Sequence, residues 1–460
     1  MNPKHIVITF LEYESKKIDD IFKEKNTDKE KFIESIKSFN RKIFNKPNYD
    51  LGETGIFNIL NNKIKASRYV GFGYFDKYLI QVLPKIYSGE NQTENEMSKS
   101  IEIFIKMYDY AYDNKQLKNS YSLLSSKLCK NEFSGVHEVF MYLFSKYFFD
   151  EVKKGVYREY LTYQLEDKFL RGKLLATRQL NKAPYNLNSF SVEKDEFTDE
   201  NYLNSMLLKA SFISQKFSNF TETRKNLLNA MDFFENLNFD FQFVNKDIIF
   251  NRLNKRFEPA YNLAKIILQG LYKTPNDIAT GFFLDMNKLF EEFIYKIIKK
   301  ESQYSVSYQD HLRKFVSYIN KKNNSEEGPD LIPDILVKKH MKTKAVIDVK
   351  YKNLKNNGEL EKNDEENDEN SQLYIGMQDL YQLYAYLNYI NKNTNNDAVG
   401  IIVVPKSKQY NSHLSDEKLQ LEYFDGLKLY ILPFEFGNDP NDLEVGIENF
   451  IENINDALEY

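Results

Sequence analysis

The hydrophobic and polar positions of this chain alternate between short β-branched runs and longer stripes at helical spacing. Residues 5–10 (His-Ile-Val-Ile-Thr-Phe) predict a first strand, and a polar helical segment follows over 28–43. Residues 69–83, with Gly71, Gly73 and a turn at Asp76-Lys77, predict a hairpin that ends at Pro84. Apolar Ile101, Ile103, Phe104, Ile105 and Met107 mark a helix over 95–112. A longer helix is predicted over 137–165, where the Phe and Tyr side chains at helical spacing are a packing stripe and not a platform for bases. Helical patterns recur over 201–217, 221–236 and 261–272, and Lys273-Thr-Pro-Asn-Asp277 then breaks the pattern.

Beyond the break, a helix over 284–299 places Met286, Leu289, Phe290, Phe293, Ile294, Ile297 and Ile298 on one stripe. Two β-branched runs come next, Leu331-Ile-Pro-Asp-Ile-Leu-Val337 and Ala345-Val-Ile-Asp-Val-Lys-Tyr351, with a polar break between them that suits a hairpin-like pair. A helix carries Asp379-Leu-Tyr-Gln-Leu-Tyr-Ala-Tyr386, and Ala398-Val-Gly-Ile-Ile-Val-Val404 is continuous, as in a strand buried on both faces. Strands near 419–424 and 427–432 and a helix over 442–457 close the chain. The pattern predicts an α+β N-terminal region, 1–275, of one or two subdomains, followed by an α/β domain, 276–460, around a central mixed sheet.

Composition narrows the function. The 460 residues are long for one domain, and a formal net charge of −4 with 28% charged residues gives no global signature of a nucleic-acid binder, while leaving room for a local basic groove. A single cysteine, Cys129, excludes an intrachain disulfide and a multi-cysteine zinc site, and the five scattered histidines lack ligand spacing. There is no G-x-x-x-x-G-K-[ST] phosphate loop, so nucleotide hydrolysis by this chain is not expected. Neither a signal peptide nor an apolar run of membrane-spanning length is seen, which makes the cytoplasm the expected location. Residues 356–371 are acidic and asparagine-rich, a composition expected of a mobile insertion. The block Lys168-Phe-Leu-Arg-Gly-Lys-Leu-Leu-Ala-Thr-Arg178 predicts a basic strand pair around its glycine. Arg171, Lys173 and Arg178 would meet phosphate or an acidic partner surface there, or stand on a solvated hairpin.

The candidate chemistry lies in the paired runs. Along the second strand Ala345, Ile347 and Val349 face one way and Val346, Asp348 and Lys350 the other, so a carboxylate and an ammonium stand side by side. Asp334, in the middle of the first run, brings a second carboxylate to the same place. Two close carboxylates repel unless a cation lies between them, and hard oxygen ligands suit Mg²⁺ or Mn²⁺. Lys350 can then orient or activate water and offset charge building on a phosphate oxygen. The plain alternative is a surface salt bridge on a hairpin, but charged residues inside otherwise buried runs need a reason. Of two glutamates in the helix over 284–299, Glu292 is expected at the surface, pairing with Lys296. Glu291, on the border of the buried stripe, is the candidate third acid and metal ligand.

This arrangement resembles the PD-(D/E)xK nuclease fold. Gln382 and Tyr386 form the Q-x-x-x-Y helix signature of its RecB-like branch, and their spacing of four puts both on one helical face. Asp285-Met-Asn-Lys-Leu-Phe-Glu-Glu-Phe-Ile294 resembles the helix that opens the nuclease domain of McrC, the cleavage subunit of McrBC modification-dependent restriction systems. The order of blocks, M-N-x-L-F-E, P-D-I, I-D-x-K-Y-K, Y-Q-L-Y-A-Y and the G-x-x-x-x-P from Gly400 to Pro405, is similar to McrC throughout, most strongly over 282–405. The Arg171 block resembles the L-R-G-x-L segment before the central helices of that family.

The resemblance implies a restriction-endonuclease-like domain that cleaves double-stranded DNA carrying 5-methylcytosine, with Mg²⁺ as cofactor and Mn²⁺ able to substitute. Asp334, Asp348 and Glu291 would bind the metal, Lys350 would assist the attacking water, and Gln382 with Tyr386 would complete the site. It also implies a separate GTP-hydrolysing McrB-type AAA+ ring as partner, whose GTPase the subunit stimulates; GTP enters only through that partner. The N-terminal region would dock on the ring through the hairpin over 69–83 or the Arg171 block. A stand-alone RecB- or Cas4-like nuclease and a non-catalytic DNA-holding adaptor are the alternatives. The missing cysteines count against iron–sulfur versions of the first, and Asp, Asp and Lys together count against the second.

Overall fold

The computed structural model describes residues 6–22, 26–44, 55–87, 94–112, 127–128, 133, 135–182, 188–234, 248–272, 278–314, 317–319, 325–327, 330–354, 375–394, 397–408, 411, 414 and 418–459. The break at 273–277, the acidic stretch 356–371 and Cys129 lie outside them.

The N-terminal half is built on the predicted hairpin. Strands β1 (Ile6–Leu11), β2 (Ser15–Lys17), β3 (Phe57–Leu60), β4 (Lys63–Ala66), β5 (Tyr69–Phe75) and β6 (Tyr78–Leu83) surround helix α1 (Asn26–Phe44). Phe75 pairs with Tyr78 across the two-residue turn, where Asp76 takes a positive φ of 51°. β1 lies parallel to β6 on the other side, and β2, β4 and β3 form a small separate sheet. Phe10, Phe32, Phe57 and Phe75 fill the core between α1 and these strands. Helices α2 (Glu94–Tyr112) and α3 (Val136–Val152) pack on the opposite face. Phe140, Phe144 and Phe148 are all buried there, as the aromatic stripe predicted.

The predicted helix over 137–165 stops at Val152. Lys153-Lys154-Gly155 ends it, with Gly155 at φ 118°, and the chain re-emerges as β7 (Glu159–Asp167), whose exposure alternates residue by residue. The predicted strand pair at 168–178 is also different. Only β8 (Lys173–Leu174) is extended, Arg171 sits in the bend before it, and Arg178 lies in the short helix α4 (Ala176–Leu180). β8 pairs not within the 168–178 block but with β9 (Phe190–Thr198), which also pairs along all of β7. Gly172 permits this, since a β-carbon there would stand 2.3 Å from the Glu193 carbonyl oxygen. The result is a three-stranded ribbon, β7-β9-β8.

Helices α5 (Tyr202–Phe217), α6 (Thr221–Met231) and α7 (Glu258–Leu271) complete the helical layer. Next comes β10 (Ala279–Asp285), a strand where the pattern suggested only the approach to a helix. It pairs antiparallel with β5, Phe282 opposite Phe72, and so makes the fourth strand of the sheet β1-β6-β5-β10. The strand that leads into the C-terminal half is therefore part of the N-terminal sheet.

Helix α8 (Met286–Glu301) starts at once, its N-cap Asp285 side chain accepting from Asn287 N at 3.0 Å, and it buries all seven predicted apolar residues. After β11 (Ser305–Tyr308), β12 (Ile335–Lys339) and β13 (Lys342–Val349), helix α9 (Met377–Thr394) precedes β14 (Val399–Lys406). The chain closes with β15 (Leu419–Glu422), β16 (Lys428–Glu435) and α10 (Leu443–Glu459). The six strands order as β11-β12-β13-β14-β16-β15, mixed, with β13, β14 and β16 parallel and the rest antiparallel. Ala345, Ile347 and Val349 join the core that contains α8, whereas Val346 joins the core under α9, as the alternation predicted. The two halves share one core cluster, and Tyr87 Oη donates to the Phe436 carbonyl at 2.8 Å across them.

Candidate active site

The site forms at the end of β13. Asp348 faces the α9 side with a side chain that is 0% exposed, and Lys350 follows the end of the strand. Lys350 N donates to Val403 O at 2.8 Å, which fixes this segment against β14. Its Nζ donates to Asp348 Oδ1 at 3.0 Å and lies 2.8 Å from Oδ2.

Asp334 reaches the same place by a different route from the one predicted. It is not in the middle of a strand but in a bend just before β12. Pro333 has no N–H to give to a ladder and restricts Ile332 before it, so pairing resumes only after Asp334, whose carbonyl accepts from Gln309 N at 2.9 Å. The Asp334 carboxylate crosses the end of β13, where Oδ2 accepts from Val349 N at 2.8 Å. It thus caps the amide next to Asp348.

Glu291 projects from α8, half-buried, and accepts from Gln309 Nε2 at 2.9 Å. Its negative charge is felt by Asp334. Glu292 is not the surface residue expected from spacing. Its side chain is 17% exposed, it lies 4.0 Å from Lys288, and it faces Tyr112 of α2, because α2 packs along α8 and covers that polar edge.

The Gln382 and Tyr386 side chains meet each other on α9. Gln382 Nε2 donates to Tyr386 Oη at 2.9 Å, and Tyr386 Oη donates to Ile332 O at 2.9 Å. Tyr386 thereby ties α9 to the peptide that enters Pro333-Asp334. One residue of this neighbourhood escaped the motif reading. Asp379, in the first turn of α9, pairs with Lys352 and lies 3.9 Å from Lys350 Nζ. Its position at the head of the Q-x-x-x-Y helix was the only sequence signal for it. Arg171, Lys173 and Arg178 stand apart from this centre on the ribbon, all exposed. Lys173 pairs with Glu193 at 3.2 Å, Arg178 approaches Glu166 at 3.9 Å, and Arg171 lies over the Phe169 ring.

Electrostatics mark the centre as charged against its surroundings. Burial, then the charges of Asp348 and Glu291, push the Asp334 carboxyl up to about 7, against the pull of the Val349 N–H and Lys350. Burial also raises the Asp348 carboxyl. Burial alone would lower the Lys350 pKa, but the neighbouring carboxylates of Asp348, Asp334 and Asp379 together outweigh it and hold the group above its ordinary value, so Lys350 is an ammonium at neutral pH.

Three carboxyl groups thus face one ammonium, and burial together with their mutual repulsion resists their ionising side by side. Asp348 Oδ2 is buried, and among the described residues its polar contact is the Lys350 ammonium at 2.8 Å, without hydrogen-bond geometry. Hard, buried carboxyl oxygens that repel one another fit a divalent cation, which would let them ionise together. Among the described residues no three His, Cys, Asp or Glu side chains already converge on one metal position.

Fold and site together define a mixed-sheet α/β protein with a buried Asp-Asp-Lys centre at the end of a central strand. A family profile described as McrBC 5-methylcytosine restriction system component matches residues 64–404, and the chain belongs to that family. A chain in the refined half-complex from a tetradecameric assembly of Thermococcus gammatolerans McrB AAA+ hexamers with bound McrC is similar at 27% identity and a TM-score of 0.68. The match covers 98% of this chain and 99% of that one. A chain of the cryo-EM structure of the Thermococcus gammatolerans McrBC complex shows 32% identity over 64% of this chain and 87% of that one, at a TM-score of 0.47. No curated protein matches. The resemblance to McrC read from the order of motifs is borne out. Among the described residues no helix is long and apolar enough to cross a membrane.

Proposed function

We propose that this chain is the DNA-cleaving subunit of a McrBC-type restriction system, a metal-dependent endonuclease of the PD-(D/E)xK type that works with a McrB-type AAA+ GTPase. The observation that carries the reading is the fully buried Asp348, held by Lys350 beside a second carboxylate whose own charge is resisted by its surroundings. A surface salt bridge has no need of that burial.

Asp334 and Asp348, with Glu291 behind them, would hold Mg²⁺ or Mn²⁺. A divalent cation there supplies Lewis-acid polarisation of a phosphoryl oxygen. Lys350, beside Asp348, would assist the attacking water and supply positive charge where negative charge develops on the phosphate. Gln382 and Tyr386 would complete the site from α9. They hold the Ile332 carbonyl and through it the placement of Asp334.

Two docking elements were open from sequence, and their exposure favours one of them. The hairpin β5–β6 is buried in the middle of its sheet, between β1 and β10. The ribbon exposes apolar side chains: Tyr160 at 73% and Phe197, whose rings stand 5.0 Å apart, with Phe169 and Leu170 near Arg171 and Leu180 at 85%. Such exposure marks an interaction surface, and the ribbon is the element assigned here to contact with the GTPase ring and stimulation of its GTPase.

The test uses the full chain with its AAA+ partner, GTP, Mg²⁺ and DNA carrying 5-methylcytosine. Asp348→Asn and Lys350→Ala should each abolish cutting while retaining partner binding. Wild-type cutting rates in both variants overturn the nuclease reading, and robust, specific cutting by the isolated chain overturns the dependence on a partner.

A further inference from the structure

We infer that the cavity of about 550 Å³ beside the active centre is a nucleotide subsite, which takes one nucleotide of the cut strand with its base out of the duplex stack. The inference rests on the nuclease reading and names the part of the substrate that this reading leaves unplaced.

The position comes first. Tyr351 and Lys352, the two residues after Lys350, form one wall of the cavity, and Asn287, in the first turn of α8, forms another. Asn287 lies one helical turn, about 6 Å, before Glu291. A DNA strand advances about 3.4 Å per nucleotide. A phosphate held at the carboxylate centre would thus have a nucleotide one or two steps along the strand within reach of this lining.

The chemistry follows from the lining. Lys65, Arg68 and Lys352 line the cavity, and among the described residues no carboxylate does, in a chain whose formal net charge is −4. Carboxylates stand behind the wall and fix its members. Asp285 holds Arg68 Nε at 2.9 Å, Asp379 pairs with Lys352, and Glu12 accepts from Tyr351 Oη at 2.8 Å. Cations held this way meet a phosphate with little loss of side-chain freedom.

An inorganic anion would need only the cations. Tyr13 and Tyr69 add flat walls, and the Arg68 guanidinium lies 5.7 Å from the Tyr69 ring centroid, an arrangement that suits stacking on a base. Tyr13 is 45% exposed, and its φ of 64° is a backbone conformation that a β-carbon disfavours. Outliers of this kind collect where a side chain has to be aimed. The Asn287 amide adds a donor and an acceptor of the sort that reads a base edge.

The experiment uses the full chain carrying Asp348→Asn, without metal, so that no DNA is cut. Binding of a fluorescein-labelled oligothymidylate is followed by anisotropy, with thymidine 5′-monophosphate and inorganic phosphate as competitors. The expected result is that the nucleotide competes at least about tenfold better than phosphate, and that Lys65→Ala and Tyr13→Ala each weaken oligonucleotide binding about tenfold. Unchanged binding in both variants overturns the inference. So does inorganic phosphate competing as well as the nucleotide, which marks a plain anion site. In the cutting-competent chain with its partner, the same two variants should raise KM and leave kcat within about twofold. Because the binding arm needs no cleavage, failure of the subsite and failure of the nuclease assignment give different results.

Discussion

Tyr386→Phe tests whether the Q-x-x-x-Y pair positions the catalytic carboxylate or merely packs. The substitution removes one oxygen from a side chain that is 6% exposed and leaves the ring in place, so no cavity of consequence opens. Two hydrogen bonds of 2.9 Å go with it, the one donated to Ile332 O and the one accepted from Gln382 Nε2. Gln382 is exposed and turns to water, whereas the Ile332 carbonyl loses its partner beside the core under α9. The loss in stability should be about 1–2 kcal/mol. With an unfolding entropy of about 2.1 cal/mol/K per residue, the 460 residues unfolding as a unit would show this as a fall of only about 1–2 °C in Tm.

The effect on cutting should be far larger. Release of the Ile332 carbonyl lets Pro333-Asp334 shift, and a misplacement of about 1 Å at a reacting centre costs on the order of a hundredfold in rate. The assay is single-turnover cleavage with the partner, beside a thermal melt. Leu383→Ala is the control, a fully buried side chain one turn away on the same helix. It should lose about 2–5 kcal/mol and yet cut at near wild-type rate well below its Tm. If Tyr386→Phe lowers Tm as expected but cuts at the wild-type rate with unchanged metal dependence, the positioning argument is wrong.

Mg²⁺ at about a hundred times its dissociation constant should stabilise the wild-type chain by about 2.7 kcal/mol, seen as a higher Tm, and should not do so for Asp348→Asn; an equal shift in both places the metal elsewhere. Gly71→Ala should destabilise by about 3 kcal/mol or more, measured as loss of soluble folded protein, since its φ is 152° and a β-carbon would stand 2.0 Å from the Phe282 carbonyl oxygen in the β5–β10 pairing. On the ribbon, the hydrogen bond from Lys182 holds the Glu166 carboxyl down to about 2, below its ordinary value of 4.5. A depressed carboxyl contributes stability that is present above about pH 4.5 and lost as the pH falls towards 2, so Glu166→Gln should flatten the acid limb of ribbon unfolding; an NMR titration midpoint for Glu166 near 4.5 would falsify the pairing.

The sequence by itself determined the parts whose information is local. The period-two alternation of Ala345 to Lys350 correctly sorted Ile347 from Val346 onto opposite faces of β13, and the spacing of four placed Gln382 next to Tyr386. The turn at Asp76-Lys77 and the seven-residue stripe of α8 were legible for the same reason: a turn or a helix face is specified by residues only a few positions apart.

Tertiary structure decided what depends on distant partners. β10 is a strand because β5, some two hundred residues earlier, offers it an edge, and nothing within 279–285 announces that edge. The alternating residues of β7 became a ribbon strand, not the continuation of α3, once β9 supplied its ladder. Glu291 and Glu292 are adjacent in sequence and nearly equal in local pattern. They differ because the end of β11 presents Tyr308, and the bend after it Gln309, to one, and α2 presents Tyr112 to the other. Asp334 meets Asp348 through the hydrogen bond to Val349 N, made possible by a bend after Pro333 that a strand pattern conceals. Side-chain periodicity states which face a residue occupies; only the packed chain states what stands opposite that face.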